Sequence, residues 1–478
     1  MILAAVLSAA RAASQAAKAH VQQHHADIVG ELTAFVALPN VASDHDGIEK
    51  NAAALVAMFG KRGIGARLLR LARKGDEDVN APPIVVAEWG KGDRVISFYA
   101  HYDGQPVDAA QWATPPWSPV VKEGRLYGRS ASDDKAPIVA MLTAIDAMKA
   151  AHLEPATRIR FVFEGEEEAG SPHLAKYLKQ YATELRTDAW MICDGPVHQS
   201  GKLELYYGAR GVTDVEITTY GPSRPLHSGH YGNWAPNPIV ELTHLIDSMR
   251  DTEAKILIPR FYDDVTPLTA AERAAIAEFP DVDTALKHEL YLGRTEGEGR
   301  ALALQILAPA LNLRGFDAGH VGAKASNAIP SSATASIDFR LVPAQTPEGV
   351  QHRVESFLTA QGWFIVHDTP DAATLLAHSR VVKMQWGAGY PAARTPLDSP
   401  FSTRVIHVIA EGTGTAPLRA PSLGGSVPMY LFMNGGQTPA IGLPIVNYDN
   451  NQHAANENVR IDYVERGVEI FAALFAGL

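Results

Sequence analysis

The sequence predicts a layered α/β domain with a central mixed sheet and, inserted into it, a smaller α+β domain. Three observations carry this. Short apolar runs at 83–87, 95–99, 159–163 and 189–192 mostly lack alternation, as strands buried on both faces do. Helical segments lie between several of them, the pattern of a layered α/β unit. From about residue 212 the texture changes. Thr213, Val215, Ile217 and Thr219 alternate with Asp214, Glu216 and Thr218, and later Ala335, Ile337, Phe339 and Leu341 alternate with Ser336, Asp338 and Arg340. Such strands have one wet face and belong to an antiparallel sheet.

The elements follow in order. Val21, Ile28, Val29, Leu32, Phe35 and Val36 recur at helical spacing until Pro39 stops the run. The apolar opening, Met1 to Leu7, is read as the first turns of the same Ala-rich helix. A signal peptide shortened at its start is the alternative, since Ala10-Arg11-Ala12 resembles a cleavage site but the usual leading positive charge is missing. The cytoplasm is therefore preferred to a secreted or periplasmic location. Further helices are expected over 48–62, over 136–150, and from Ser171-Pro172, a capping residue followed by proline. In the insert, one amphipathic helix carries Leu242, Leu245, Ile246 and Met249. A second carries Val350, Val354, Phe357 and Leu358 and ends near Gly362. An apolar helix resumes near Phe401 to Ala410. The expected division is 1–211 and 385–478 for the α/β domain, with 212–384 as an inserted lid and dimerisation domain.

Composition excludes some functions. The chain has 478 residues, 46% of them hydrophobic, enough for two or three domains with large cores. Its formal net charge of -11 repels phosphate backbones, so nucleic acid is not an expected partner. No apolar run is long enough to cross a bilayer, and no membrane partner is expected. The single cysteine, Cys193, excludes an internal disulfide framework and a cysteine-rich zinc site.

Chemistry-bearing residues gather where strands end. One strand runs into His101-Tyr102-Asp103, the next into Glu164-Gly165-Glu166-Glu167-Glu168, a third into Cys193-Asp194-Gly195. Pro444-Ile445-Val446 is read as a fourth, leading to Asn447 through His453. Open α/β sheets place their sites beyond such strand ends. Asp133-Asp134 at a helix start, or the run Glu166 to Glu168, would each alone be read as charge at a helix end or a solvated loop. Together the histidines and carboxylates suit zinc, manganese or cobalt. Several carboxylates also allow one to bridge a metal pair, typically ~3.5–4 Å apart.

The segments His101-Tyr102-Asp103, Leu126-Tyr127-Gly128-Arg129 through Asp133-Asp134-Lys135, Glu164 through Ser171, and Leu226-His227-Ser228-Gly229 resemble the dinuclear zinc peptidases of the carnosinase, aminoacylase and carboxypeptidase G family. Gln105-Pro106 and Trp117 resemble its dipeptidase branch most. The resemblance implies two divalent metal ions per subunit, zinc first, with manganese or cobalt accepting the same ligands. It gives His101 and Asp194 to one metal, Glu168 and His453 to the other, and Asp133 as the bridge. Asp103 would orient His101, and Glu167 would be the general base acting on a water between the metals. His227 would steady the oxyanion from the neighbouring subunit of a homodimer built through the insert. Arg340 would hold the substrate carboxylate. Asn327 and Ser426 match substrate-contacting positions more loosely, and threonine is usual where Asn327 stands.

The implied function is metal-dependent hydrolysis of amide bonds in dipeptides or short peptides. An N-acyl amino acid hydrolase is the close alternative, and a non-catalytic metal-binding homologue or a dinuclear phosphoesterase the more distant ones. Two departures stand beside the bridging position: Ser130 and Ala136 occupy places where the family usually has glycine.

Overall fold

The computed structural model describes residues 2–71, 80–425, 427–433 and 435–478. Eight strands form one mixed sheet in the order Ala66–Leu69, Ile84–Trp89, Arg158–Glu164, Val95–His101, Ala189–Ile192, Ala440–Gly442, Glu204–Tyr206 and Leu418–Ala420. The centre is parallel: Val95–His101 runs alongside Arg158–Glu164 and Ala189–Ile192. Every residue of Val95–His101 is buried, which explains its lack of alternation.

Helices cover both faces. On one side Ile96, Phe98 and Ala100 pack with the helices Ile2–Val36, His45–Lys61, Lys135–Ala150, Pro400–Thr413 and Ile461–Gly477. On the other, Tyr99, Val162, Trp190 and Ile192 pack with Leu174, Tyr177, Met429 and Phe432. The Ala-rich opening is helical, as expected, and Ala10, Ala13 and Ala17 are fully buried. Small side chains there let helices approach closely; a side chain on Gly412 would meet the Ala473 methyl at 2.5 Å.

Two expectations fail locally. No helix opens at Ser171-Pro172; it runs Leu174–Gln180. Ser171 takes a positive φ of 52°, and the Glu166 carboxylate accepts the His173 backbone N–H instead. The strand expected at Pro444 lies earlier, at Ala440–Gly442. Ile445 and Val446 are buried in the chain that follows it.

Gly208–Ala209 pairs antiparallel with Ala393–Arg394, so the chain leaves this unit and returns to it side by side. Between them lies a five-stranded sheet in the order Ala310–Asp317, Ser332–Leu341, Gly211–Tyr220, Val381–Trp386 and Phe364–Val366. The helices Pro238–Met249 and Pro347–Ala360 cover one face, and their apolar stripes join Val215, Ile217, Ile337 and Phe339 in a separate core. Three short helices, Ala270–Ala277, Asp283–Glu289 and Leu302–Gln305, were not legible in the sequence. Ion pairs from Arg394 to Glu272 and Arg419 to Glu278 tie this stretch to the first unit. No described helix is long and apolar enough to cross a membrane.

Candidate metal centre

The parallel strands end on one rim, where five distant parts of the chain come together. His101 is the last residue of its strand, and Asp194 follows Ala189–Ile192 by two residues. Asp133 precedes the helix Lys135–Ala150. Glu167 and Glu168 lie on a single turn beyond Arg158–Glu164. His453 arrives on the loop before Asn458–Arg460.

Among the described residues, two groups have donor atoms within 4.8 Å of one another: His101, Asp133 and Asp194, and Asp133, Glu168 and His453. Asp133 is common to both. One of its oxygens lies 2.9 Å from His101 Nε2, the other 3.1 Å from His453 Nε2, and His453 Nε2 lies 3.1 Å from Glu168 Oε2. The two groups together contain the five residues expected as ligands.

The donors suit divalent cations. Imidazole and carboxylate are the only groups offered, and burial leaves the carboxylates little water to solvate their charge. Burial and the neighbouring Asp133 push the Asp194 pKa up to about 7. Burial opposes protonation of His101, yet its hydrogen bonds to Asp103 and Asp133 hold its pKa well above the usual value. Hydrogen bonds to Asp133 and Glu168 carry His453 to about 10.

Asp103 is fully buried. Its Oδ1 lies 3.3 Å from His101 Nδ1, and its two oxygens accept the backbone N–H groups of Glu167 and Glu168, both at 3.0 Å. One carboxylate thus fixes a histidine donor and the turn carrying the glutamates. Burial, then Asp194 and Asp133, raise the Glu167 pKa well above the carboxylate range, with His101 opposing.

Two residues that were not expected in the site also shape the cluster. Glu457 is fully buried. It accepts from the backbone N–H groups of Ser130, Ser132 and Asp133, from the Ser132 hydroxyl, and from Arg129 Nη1 at 2.7 Å. It is isolated in sequence, in Asn456-Glu457-Asn458, so no motif marks it. Gln105 donates to Glu168 Oε2 at 2.8 Å; the sequence drew attention to it, but not to this contact.

The glycine-poor surroundings of Asp133 are accommodated. Ser130 adopts φ 63°, where glycine is favoured, and its Oγ accepts from Asn40 Nδ2 at 3.0 Å. Gly104 makes the room, since a Cβ there would lie 2.1 Å from Ser130 Oγ. Ala136 is an ordinary buried helical residue. Cys193 is buried with its thiol pKa pushed up by burial, an inert setting.

The residues expected on the insert lie elsewhere. His227 and Asn327 are exposed neighbours on the small ladder of Leu226–His227 with Ala328–Ile329. Ser228 N–H donates to the Asn327 carbonyl at 2.8 Å, and His227 Nδ1 accepts from Gly229 N–H. Neither belongs to the two donor groups. Arg340 sits on Ser332–Leu341 with its Nε 2.9 Å from Asp338 Oδ2. Ser426 falls outside the described residues.

A family model described as Peptidase family M20/M25/M40 matches residues 97–476. The Cys-Gly metallodipeptidase dug1 of Schizosaccharomyces pombe is 26% identical over 462 residues, covering 93% of this chain and 94% of its own. The Beta-Ala-His dipeptidase of Homo sapiens is 27% identical over 408 residues, covering 82% of this chain and 77% of its own. An M20 family metallo-carboxypeptidase from Sulfolobus solfataricus, Sso-CP2, has a solved structure that is 28% identical with a TM-score of 0.78, covering 94% of this chain and 99% of its own. The fold, the donor set and these matches agree on a hydrolase that uses divalent metal ions. The chain belongs to peptidase family M20/M25/M40.

Proposed function

We propose that this chain hydrolyses the amide bond of dipeptides or short peptides, with two divalent metal ions held by His101, Asp133, Glu168, Asp194 and His453. The observation that carries this is the pair of three-residue donor groups sharing Asp133. Zinc is the first candidate metal, and manganese and cobalt accept the same donors. When bound, such a pair polarises the substrate carbonyl and makes a water a better nucleophile near neutrality.

Glu167 is the proposed general base. It is next to the donor Glu168 in sequence and is itself free of the two donor groups. It takes one proton as the water oxygen bonds to the amide carbon, then passes that proton to the amine nitrogen as the carbon–nitrogen bond breaks. The products are a carboxylate and an amine. Asp103 positions His101 and the turn carrying Glu167. Arg340 binds the substrate carboxylate as a guanidinium fork can, and Asn327 and Ser426 are proposed as further substrate contacts. His227 is proposed to steady the oxyanion from a second copy of the chain, in a homodimer formed through the insert. Its exposure and its absence from the two donor groups support that reading.

An N-acyl amino acid offers the same amide and carboxylate, so it is the second substrate class to test. The experiment is a panel of dipeptides and N-acyl amino acids, assayed with chelated enzyme reconstituted with each metal in turn. Cleavage of dipeptides above N-acyl amino acids is expected; cleavage of neither class by any metal form would overturn the proposal.

A further inference from the structure

Four of the five donor residues are held by burial, and the fifth is not. The side chains of His101, Asp133 and Glu168 are 1%, 7% and 5% exposed and Asp194 is buried, whereas the His453 side chain is 54% exposed. His453 therefore depends on its backbone for position. Asn451, His453 and Asn456 take φ of 56°, 61° and 61° in that loop. Left-handed angles are uncommon outside glycine and persist where surrounding contacts hold them.

Two distant parts of the chain supply such contacts. The buried Arg129 guanidinium reaches in two directions. Its Nη1 donates to Glu457 Oε2 at 2.7 Å, behind the Asp133 segment, and its Nη2 donates to the Ala454 carbonyl, next to His453, at 3.3 Å. The Trp112 ring covers it, 5.2 Å from the guanidinium carbon. One residue on, the Ala113 N–H donates to Asn456 Oδ1 at 2.8 Å. Arg129 N–H in turn donates to the Pro116 carbonyl at 3.0 Å. The stretch from Trp112 to Pro116 thus contacts both Arg129 and Asn456, and through them the segments that present Asp133 and His453. Neither Arg129 nor Asn456 belongs to the two donor groups.

We propose that Arg129 and Asn456 are positioning residues for the metal ion held by Asp133, Glu168 and His453. They fix the half-exposed His453 and so set how firmly that ion is retained. The ion held by His101, Asp133 and Asp194 has buried donors throughout and does not need them. This rests on the metal-pair reading above and adds residues outside the donor set whose loss weakens one ion and spares the other.

The test is zinc retention by the full chain, dialysed to equilibrium against buffered free zinc, with metal content measured directly. Asn456→Gly removes the acceptor and tolerates the positive φ. Asn456→Asp keeps an acceptor oxygen and tolerates that φ as well. One net hydrogen bond corresponds to about 2- to 10-fold in affinity. Asn456→Gly should weaken one ion by that factor and leave the other within about twofold, and Asn456→Asp should restore most of the loss. Arg129→Lys keeps a charge beside Glu457 but not the guanidinium fork, and should act in the same direction. In a His453→Ala background, where the weakened ion has lost its own donor, Asn456→Gly should change nothing further. General destabilisation would not choose between the ions. Equal weakening of both ions, weakening of neither, or the same loss in the His453→Ala background would overturn the inference. A wild type that holds no ion pair would overturn the donor reading and this inference with it. Absence of dipeptide turnover with these contrasts intact would count against the hydrolytic reading alone.

Discussion

Asp133 can serve two donor groups because its backbone is held from behind. Glu457 collects three backbone N–H groups, a hydroxyl and the Arg129 guanidinium around that segment. Glu457→Gln removes the charge while keeping the shape and leaves Arg129 buried without its partner. Breaking a buried pair in this way costs about 3 kcal/mol or more, so denaturant unfolding should show that loss, with weaker metal retention beside it. Gly104 and Ser130 offer a second residue-scale test. Gly104→Ala drives a methyl against Ser130 Oγ and should cost about 1–3 kcal/mol by overpacking. Ser130→Gly in the same chain should return most of it, and a double-mutant cycle without coupling would contradict the contact. At this scale the legible residues were those in motifs: His101, Asp103, Glu167 and Glu168 stand together at strand ends. Glu457 was not legible because an isolated glutamate has no periodicity or neighbour to mark its distant contacts.

Elements were legible where one kind of burial ran through a long segment. Val95–His101 and Lys135–Ala150 are buried along nearly their whole length, and their composition says so. Leu174–Gln180 began later than its local capping signal because the Glu166 carboxylate, seven residues back, accepts the His173 backbone N–H. The short helices between 270 and 305 lack a long apolar stripe, and their order depends on partners such as Arg394 and Arg419. Glu204, on an inner strand near the edge of the central sheet, gives a pH test at this scale. Burial pushes its pKa up to about 7 from 4.5. The folded state therefore holds the proton more tightly than the unfolded chain. That contribution is fully present below about pH 4.5 and is lost as pH rises through 7. At 1.36 kcal/mol per unit it amounts to roughly 3–4 kcal/mol at most. Glu204→Gln should flatten the fall in Tm between pH 5 and 8; an unchanged slope would contradict the assignment.

Across the whole molecule, the insert carries His227, Asn327 and Arg340 while the α/β unit carries the metal donors. The alternation after residue 212 made the second sheet legible. Its exposed histidine was singled out only through the family resemblance, and the proposal gives it to the site of a second copy. The homodimer proposal has a direct check. Glu167→Gln and His227→Ala should each be inactive alone. Mixed and allowed to exchange subunits, they should recover roughly a quarter of wild-type activity, because half the dimers are mixed and one of their two sites is intact. No recovery on mixing would count against a site shared between subunits. The central claim, a metal-dependent amide hydrolase with Glu167 as its base, is tested most directly by measuring metal content and dipeptide turnover together for Glu167→Gln. The variant should keep two metal ions per chain and lose about 10²- to 10⁴-fold in kcat. Full turnover with both metals bound would contradict it.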